Sequence, residues 1–217
     1  DATVGYNGHT KNYPSYDTVT GAFQITNDAA PTLSGFTVRD RAVGVYAEGT
    51  GSWTIDDMEF INDTYSVNMH EMDGGEPTVT GSDITDGDIG VLAASHASDL
   101  TIEQTSFSSL SSDGVYINAQ TGETKLDSVT MTNVDYGVNF AGKVTATDVH
   151  ISGSSQAYFV YYPSPVNLSL TDSSIDNVNN GFNIVTSSGA PSKAVTLDNV
   201  SVTDSDDAGK ISLYETN

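Results

Sequence analysis

Oxygen-bearing side chains recur at regular spacing in this chain, and they are the residue types best suited to chemistry. One such series is Asp57, Gln104, Asp127, Asp148, Asp172 and Asp198. Carboxylate and amide oxygens are the ligands that hard cations such as Ca²⁺ prefer. The same residue types also form tight turns, because they tolerate the left-handed backbone region and bond their own main chain. We favour the turn role and predict no cofactor, with Ca²⁺ bound near Asp127, Asp148 and Asp172 as the alternative.

The histidines do not have the spacing of a metal site or of a catalytic site. No pair among His9, His70, His96 and His150 has the i, i+4 or His-x-His spacing common in zinc sites. The chain has no cysteine, which excludes thiol chemistry and Cys-based zinc sites. The segment around His70, Glu71 and Asp73 is the alternative place for acid–base chemistry, at the rim of a groove.

The candidate carboxylate and histidine side chains must be positioned by an internal repeat of about 23 residues. A small residue precedes an apolar-x-apolar triplet at Gly44, Ser66, Gly90, Gly114, Gly137, Ala157, Gly181 and Gly209. Four or five residues upstream of each lies a turn-type residue, namely Asp40, Asn62, Asp86, Ser109, Asn133, Gly153, Asn177 and Asp204. The small residues and the turn-type residues keep nearly the same separation in every repeat. This predicts identical turns stacked on one another.

Alternating apolar residues divide each repeat into three short strands. The second strand has inward residues at Val38, Phe60, Ile84, Phe107, Met131, Ile151, Ile175 and Val202, and the third at Val45, Val67, Val91, Val115, Val138, Tyr158, Phe182 and Ile211. The first strand is predicted to point Leu33 and Gly35 inward in the first repeat, and Val79 and Gly81 in the third. A β-sandwich also has short strands at regular spacing, but a turn residue at one fixed corner favours stacked coils.

The motif of an Asx followed four positions later by Gly-Val-x-apolar, as in Asn133 to Phe140, resembles the repeats of the right-handed parallel β-helix, or pectin-lyase-like, superfamily. Archaeal surface proteins that carry such repeats are the most similar group. We therefore predict an all-β, right-handed parallel β-helix of about eight three-strand coils over residues 30–217, with residues 1–29 as an irregular N-terminal cap.

The resemblance implies a polysaccharide-cleaving enzyme only if the catalytic motifs of the superfamily are present. The lyases use an Arg or Lys base with Ca²⁺, and the hydrolases use Asn-Thr-Asp, paired Asp, Gly-His-Gly and Arg-Ile-Lys on successive coils. In this chain Asn62-Asp63-Thr64 has the wrong order, and the last two motifs are absent. A non-enzymatic protein is therefore predicted, with a polysaccharide lyase or glycoside hydrolase as the alternative.

Aromatic residues occupy predicted outward positions on and beside the third strand, which is unexpected in so acidic a protein. They are Tyr46, Tyr65, Tyr116, Tyr136, Phe159, Tyr161 and Tyr162. They predict a binding face for other copies of the chain, sibling surface proteins or a glycan. The alternative is that the N-terminal cap or a long loop covers them.

Composition limits the choice of partners and environment. The 217 residues include 29 Asp and Glu against seven Lys and Arg, for a net charge of −22. This charge argues against nucleic acid as a partner, and the absence of a long apolar run argues against membrane insertion. It also indicates adaptation to high salt, which screens repulsion between carboxylates. Asn62, Asn167 and Asn199 begin Asn-x-Ser/Thr sequons and are glycosylation candidates.

Together these features predict an extracellular or cell-surface module, a rigid acidic β-helix, with a virion spike or fibre domain as a third possibility. The chain begins at Asp1, as a processed or excised domain would. The last coil, at Ile211 to Tyr214, is expected to leave a strand edge that the chain itself does not cover.

Overall fold

The structure, a computed structural model, describes residues 21–94, 98–118, 122–160, 166–186 and 193–212. The predictions for Tyr161, Tyr162, His9 and His96 lie outside these residues. The described residues form strands and connecting turns, and none of their segments is a helix that could span a membrane.

The strands form three parallel sheets, and every strand except the first and last of each sheet pairs with its equivalents in the preceding and following coils. The first sheet contains β2 (Thr32–Ser34), β5 (Thr54–Asp56), β8 (Thr78–Thr80), β11 (Leu100–Glu103), β14 (Glu123–Asp127), β17 (Gly142–Thr147), β20 (Val166–Thr171) and β23 (Lys193–Asp198). The second contains β3 (Thr37–Arg39), β6 (Glu59–Ile61), β9 (Asp83–Thr85), β12 (Ser106–Ser108), β15 (Thr130–Thr132), β18 (His150–Ser152), β21 (Ser174–Asp176) and β24 (Ser201–Thr203). The third contains β1 (Gly21–Ile25), β4 (Val43–Gly49), β7 (Tyr65–Met72), β10 (Ile89–Ala94), β13 (Asp113–Asn118), β16 (Tyr136–Phe140), β19 (Gln156–Val160), β22 (Asn180–Val185) and β25 (Lys210–Ser212). This is the predicted three-sheet solenoid.

One apolar core runs along the axis, because alternate residues of all three sheets point inward. The second-sheet column from Val38 to Ile175 is buried in every coil, as predicted. In the third sheet the column from Val45 to Phe182 is also buried as predicted. Its last member was misplaced, since Ile211 pairs with Ile184, in the next inward column.

The turn-residue column is confirmed at every position. Asp40, Asn62, Asp86, Ser109, Asn133, Gly153, Asn177 and Asp204 all have positive φ, between 46° and 65°. A second column of positive φ lies between the first and second strands, at Gly35, Asp57, Gly81, Gln104, Ser128, Asp148, Asp172 and Asn199. Each coil therefore turns through the left-handed region twice, at the same two corners.

The first-strand register was wrong by two residues in two coils. Leu33 pairs with Ile55, and Val79 pairs with both Ile55 and Ile102, so all four share one inward column. Gly35 and Gly81, which were predicted to point inward, instead lie at the corner with positive φ. In addition, β1 belongs to the third sheet although it lies within the residues assigned to the cap.

The small residues at the start of the third strands make room for large core side chains. A Cβ added to Gly90 would lie 2.5 Å from Cδ1 of Phe107 and 2.6 Å from the carbonyl oxygen of Gly114. Gly44 has the same relation to Phe60, and Gly137 to Ile151. The glycine column is therefore a consequence of the packing of the second-strand side chains.

The substitution Gly90→Ala is expected to destabilise the protein, because both the Phe107 ring and the next coil would have to shift. Overpacking of this kind costs about 1–3 kcal/mol. Urea unfolding followed by circular dichroism measures the loss. Gly74→Ala is the control, since its added Cβ would have no neighbour closer than 3.7 Å. Equal stability of the two variants would contradict the packing explanation.

Candidate functional site

The outer walls of the solenoid are held by side-chain hydrogen bonds that run from coil to coil. Carboxylates accept them, and hydroxyl or amide groups of an adjacent coil donate them. The pairs include Thr37 with Glu59 at 2.9 Å, Ser111 with Asp88 at 2.7 Å, Asn62 with Asp40 at 2.8 Å, Asn199 with Asp172 at 2.6 Å and Thr203 with Asp176 at 2.7 Å. These bonds orient the carboxylates without neutralising their charge, so the walls stay negative.

The corner carboxylates proposed for Ca²⁺ do not form one column. Asp148 and Asp172 lie at the positive-φ corner of successive coils, but the equivalent residue one coil earlier is Ser128. Asp127 instead lies in the outward column of the first sheet, where it pairs with Thr147. Among the described residues, no group of three or more His, Asp or Glu side chains is arranged to hold a metal ion.

A surface cavity of about 360 Å³ lies at the other corner, where the second strands lead into the third. It is lined by Asn62, Asp63, Thr64, Asp86, Gly87, Asp88, Ser109 and Ser111. All the lining side chains are polar, and three of them are carboxylates. This cavity was not among the sites predicted from the sequence.

Asp63 is the unusual residue of this corner, because only 1% of it is exposed. In three later coils the residue that follows the turn column is apolar and buried, at Leu110, Val134 and Val178. Oδ1 of Asp63 accepts a hydrogen bond from the backbone N–H of Arg41 at 2.8 Å, while Oδ2 has no partner among the described residues. Burial raises the pKa of Asp63 to about 6. The sequence signal is the alignment of the repeats, which places Asp63 at a position that three later coils fill with Leu110, Val134 and Val178.

Asp63→Asn is expected to stabilise the protein at pH 7. The folded-state pKa of Asp63 is about 6, above its usual value of 3.8. Its contribution to stability is therefore fully present below pH 3.8 and is lost as the pH rises through 6. The neutral amide can still accept the Arg41 N–H, so we expect a gain of about 1–2 kcal/mol at pH 7 that disappears near pH 4.

Thermal melts of the two proteins between pH 4 and 8 measure this difference. Asp86→Asn is the matched control, because it removes one charge from an exposed position at the same corner. A gain for Asp63→Asn that is the same at every pH, or that the control reproduces, would contradict a buried charged carboxylate.

A second buried carboxylate, Asp113, lies on the outer face of the third sheet and is 4% exposed. Its Oδ2 accepts a hydrogen bond from Ser112 at 2.7 Å, and its Oδ1 has no partner among the described residues. Burial raises the pKa of Asp113 above its usual value, and the hydrogen bonds from Ser112 and Asn139 oppose the rise. Neighbouring coils place Ile89 and Tyr136 in this column, so the carboxylate interrupts an apolar series.

The predicted aromatic face is not exposed along its whole length. Tyr46 and Tyr65 are 5% and 6% exposed, and they form a second apolar cluster with Val43, Ile89 and Leu92, separate from the core. Tyr116 packs against this cluster and is half-buried. Tyr46 and Tyr65 are therefore buried on this face, and their role in binding stays a prediction.

The aromatic residues of later coils remain partly exposed. The rings of Tyr136 and Phe159 lie 5.2 Å apart between centroids, with their planes tilted by 41°. Both side chains are half-buried on the outer face of the third sheet. Together with Tyr116, which is half-buried as well, this pair is the described part of the aromatic face that is partly accessible. Its role in binding stays a prediction.

The histidines that the structure describes are not grouped with one another. His150 points outward between the buried residues Val149 and Ile151, as predicted, and its Nδ1 lies 2.7 Å from the hydroxyl of Ser174. Nδ1 of His70 lies 3.9 Å from Oε1 of the neighbouring Glu71, and Asp73 is exposed. The predicted acid–base segment therefore contributes one adjacent His–Glu pair.

Two of the three sequon asparagines lie at accessible corners. Asn62 and Asn199 are exposed and have positive φ, whereas Asn167 lies within β20 and is half-buried. A glycan attached at Asn62 would lie next to the cavity. Glycosylation of these residues stays a prediction.

Comparison with known proteins agrees with this architecture. The family described as right-handed beta helix region matches residues 21–199. The chain therefore belongs to the right-handed β-helix family, and its three parallel sheets are those of that fold. No curated protein and no solved structure matches the chain significantly.

Proposed function

We propose that the chain is a non-enzymatic module of an extracellular or cell-surface structure, a rigid acidic rod that contacts a glycan or another surface protein. The observation that carries this proposal is the ladder of hydrogen bonds along the outer walls, in which neutral donors orient carboxylates from coil to coil. Such a surface is suited to staying hydrated and fixed in shape. The family is consistent with surface proteins and with pectin-lyase-like proteins.

The accessible pair Tyr136 and Phe159 is the proposed contact site. Aromatic rings stack on the faces of sugars, and partly exposed rings are common at protein interfaces. The pair lies within an acidic surface, which favours a neutral or cation-bearing partner over a polyanion.

Affinity electrophoresis in gels that contain neutral or acidic polysaccharides tests this contact. The double variant Tyr136→Ser, Phe159→Ser is expected to lose the retardation shown by the unaltered protein. His150→Ser, which changes the outer wall of a different sheet, is the control and should keep it. Equal retardation of both variants would contradict the assignment of the pair, and absence of retardation on every polymer would leave a protein partner for a pull-down experiment to identify.

The corner cavity supports a second candidate function, cleavage of a polysaccharide. Its lining carboxylates Asp63, Asp86 and Asp88 include one with a pKa of about 6, a value at which a carboxyl can donate a proton near neutral pH. Incubation with pectin-like and alginate-like polymers, followed by assays for reducing ends and for unsaturated products, decides between the two. Product that disappears in Asp88→Asn would overturn the non-enzymatic proposal.

A further inference from the structure

The corner cavity contains a buried carboxylate with a hydrogen-bond partner for only one of its two oxygens. Asp63 is 1% exposed and is one of the residues that line the cavity. Its Oδ1 accepts the backbone N–H of Arg41, in the preceding coil, at 2.8 Å, whereas its buried Oδ2 has no hydrogen-bond partner among the described residues. A buried carboxylate oxygen without a donor is costly, so a donor supplied from outside would stabilise this corner.

The hydrogen bonds to the preceding coil leave acceptor oxygens on the side of the cavity. Asn62, next to Asp63, donates from its Nδ2 to Oδ1 of Asp40 in that coil, at 2.8 Å. Apart from Thr64, the rest of the lining comes from the two coils on the opposite side of Asn62 and Asp63. Because each of these two side chains uses one polar atom toward the preceding coil, its remaining oxygen is directed toward the cavity.

No side chain of the next coil covers Asp63, because the equivalent residue there is a glycine. Gly87 follows the turn residue Asp86 as Asp63 follows Asn62. A Cβ added to Gly87 would collide with the carbonyl oxygen of Asp63, so the fold requires glycine at this position. One coil further on, the same position carries the large apolar side chain of Leu110. The gap next to Asp63 is therefore built into the stacking of these coils.

The lining of the cavity favours an organic cation. It has three carboxylates, Asp63, Asp86 and Asp88, together with hydroxyl and amide groups, and it has no basic side chain. The volume of about 360 Å³ is large beside the ~30 Å³ that one molecule occupies in liquid water, so a bare ion would not fill it. In the described part of the chain, no three His, Asp or Glu side chains converge as the ligands of a metal ion would. A larger cation with several donors fits better.

A guanidinium group has the properties that this lining requires. It is planar, carries five N–H donors and no acceptor, and is more weakly hydrated than an ammonium group, so it loses less on entering a partly buried site. Burial raises the pKa of Asp63 to about 6, so its carboxylate is mostly ionised at pH 7. Neither Asp63 nor the other two carboxylates of the lining form an ion pair with a described residue. A guanidinium would supply both the missing charge and the missing donor.

We propose that the corner cavity binds an arginine side chain of a partner protein, with Asp63 as its buried acceptor. This inference deepens the proposed function, and rests on it for the presence of a partner, because it names the chemical group by which a second surface protein is recognised. The site is separate from the aromatic pair Tyr136 and Phe159. Charge-assisted hydrogen bonds to a buried carboxylate give specificity, and the negative surface around the cavity attracts a basic partner.

Titration of the ¹⁵N-labelled protein with three short peptides, followed by NMR, tests this site. The peptides are acetyl-Gly-X-Gly-amide with arginine, lysine or citrulline at X, and citrulline has the shape of arginine without its charge. The arginine peptide is expected to shift the backbone amide signals of Gly87 and Asp88 in a saturable manner. The lysine peptide should bind more weakly, and the citrulline peptide should leave these signals unchanged.

Two variants with the same net charge show whether Asp63 is the acceptor. Asp63→Asn should bind the arginine peptide at least about tenfold more weakly, since it removes the buried charge of the pair. It is expected to fold stably, so unfolding would not account for the loss, and its melting curve checks this. Asp148→Asn removes one charge from an exposed corner that does not line the cavity, and it should keep its affinity within about twofold.

Several results would overturn the proposal. Equal shifts with the citrulline peptide would mean that charge is not recognised, and equal affinity for the lysine peptide would contradict a guanidinium site. Unchanged affinity of Asp63→Asn, or equal loss in Asp148→Asn, would mean that the buried carboxylate is not the acceptor. Shifts of the same signals by CaCl₂ alone, at lower concentration than the arginine peptide requires, would identify a metal site instead. Each of these results leaves the glycan-retardation test of the proposed function unaffected.

Discussion

Ile102→Asp is expected to prevent folding. Ile102 is 0% exposed and lies in the inward column of the first sheet between Val79 and Leu126. A carboxylate there would lose its hydration without gaining an ion-pair partner, at a cost of several kcal/mol. Since whole domains are stable by only about 5–15 kcal/mol, this one change removes most of the margin. Loss of the β-sheet signal in circular dichroism measures it.

Thr101→Asp is the matched control for this experiment. Thr101 is the adjacent residue on the same strand, but it is half-buried on the outer wall between Thr78 and Lys125. A carboxylate at this position remains hydrated and has a lysine in the next coil, so the variant should fold. Comparable damage from the two substitutions would contradict the alternation on which the whole register depends.

Thermal stability is expected to rise steeply with salt concentration. The net charge is −22, and the described residues contain one ion pair between a lysine and a carboxylate, Lys143 with Glu123 at 2.9 Å. Repulsion between carboxylates is therefore relieved mainly by screening, which shortens the Debye length to about 3 Å at 1 M salt. A relief of about 3 kcal/mol corresponds to a rise of about 10 °C in melting temperature for a domain of this size.

Melting curves in NaCl and KCl between 0.05 and 2 M measure this effect. A variant with Asp→Asn at the exposed corner positions Asp40, Asp86, Asp148 and Asp172 serves as the comparison. Asparagine already occupies equivalent corners with the same left-handed backbone, at Asn62 and Asn133 in the column of Asp40 and Asp86 and at Asn199 in the column of Asp148 and Asp172, so charge is the main property that changes. The variant should depend less on salt. Equal or lower melting temperature of the unaltered protein in molar salt would contradict adaptation to high salt.

The repeat made most of the fold predictable, because every coil has the same two requirements. Its corners need residues that tolerate positive φ, and its inward positions need apolar side chains. The turn column was correct from Asp40 to Asp204, since only residues that tolerate positive φ can form that corner. The second-strand column was correct because a large apolar residue occupies it in every coil. The first strand was misplaced at Leu33 and Val79, where glycine two residues later satisfied the alternation pattern although it belongs to the corner.

The candidate sites were less predictable, because they depend on what covers a face and not on which way a residue points. The alternation correctly placed Tyr46 and Tyr65 on the outside of the third sheet, yet both are buried there in a separate apolar cluster. Asp127 appeared to share a corner with Asp148, but the corner residue of that coil is Ser128. A shift of one residue changes the face on which a side chain lies.

The sequence by itself determined the three-strand coil, its two corners and the axis of the core, since local backbone preference and apolar alternation repeat in every coil. Only the tertiary structure decided which polar residues are buried. Asp63 looks like one more corner aspartate in the sequence, but stacking places it in the column of Leu110 and Val134, where burial raises its pKa to about 6. Burial of an inward residue likewise depends on stacking as well as on side-chain direction, since Leu170 and Ile184 are 0% exposed while their register partners in the last described coil, Leu197 and Ile211, are 44% and 40% exposed.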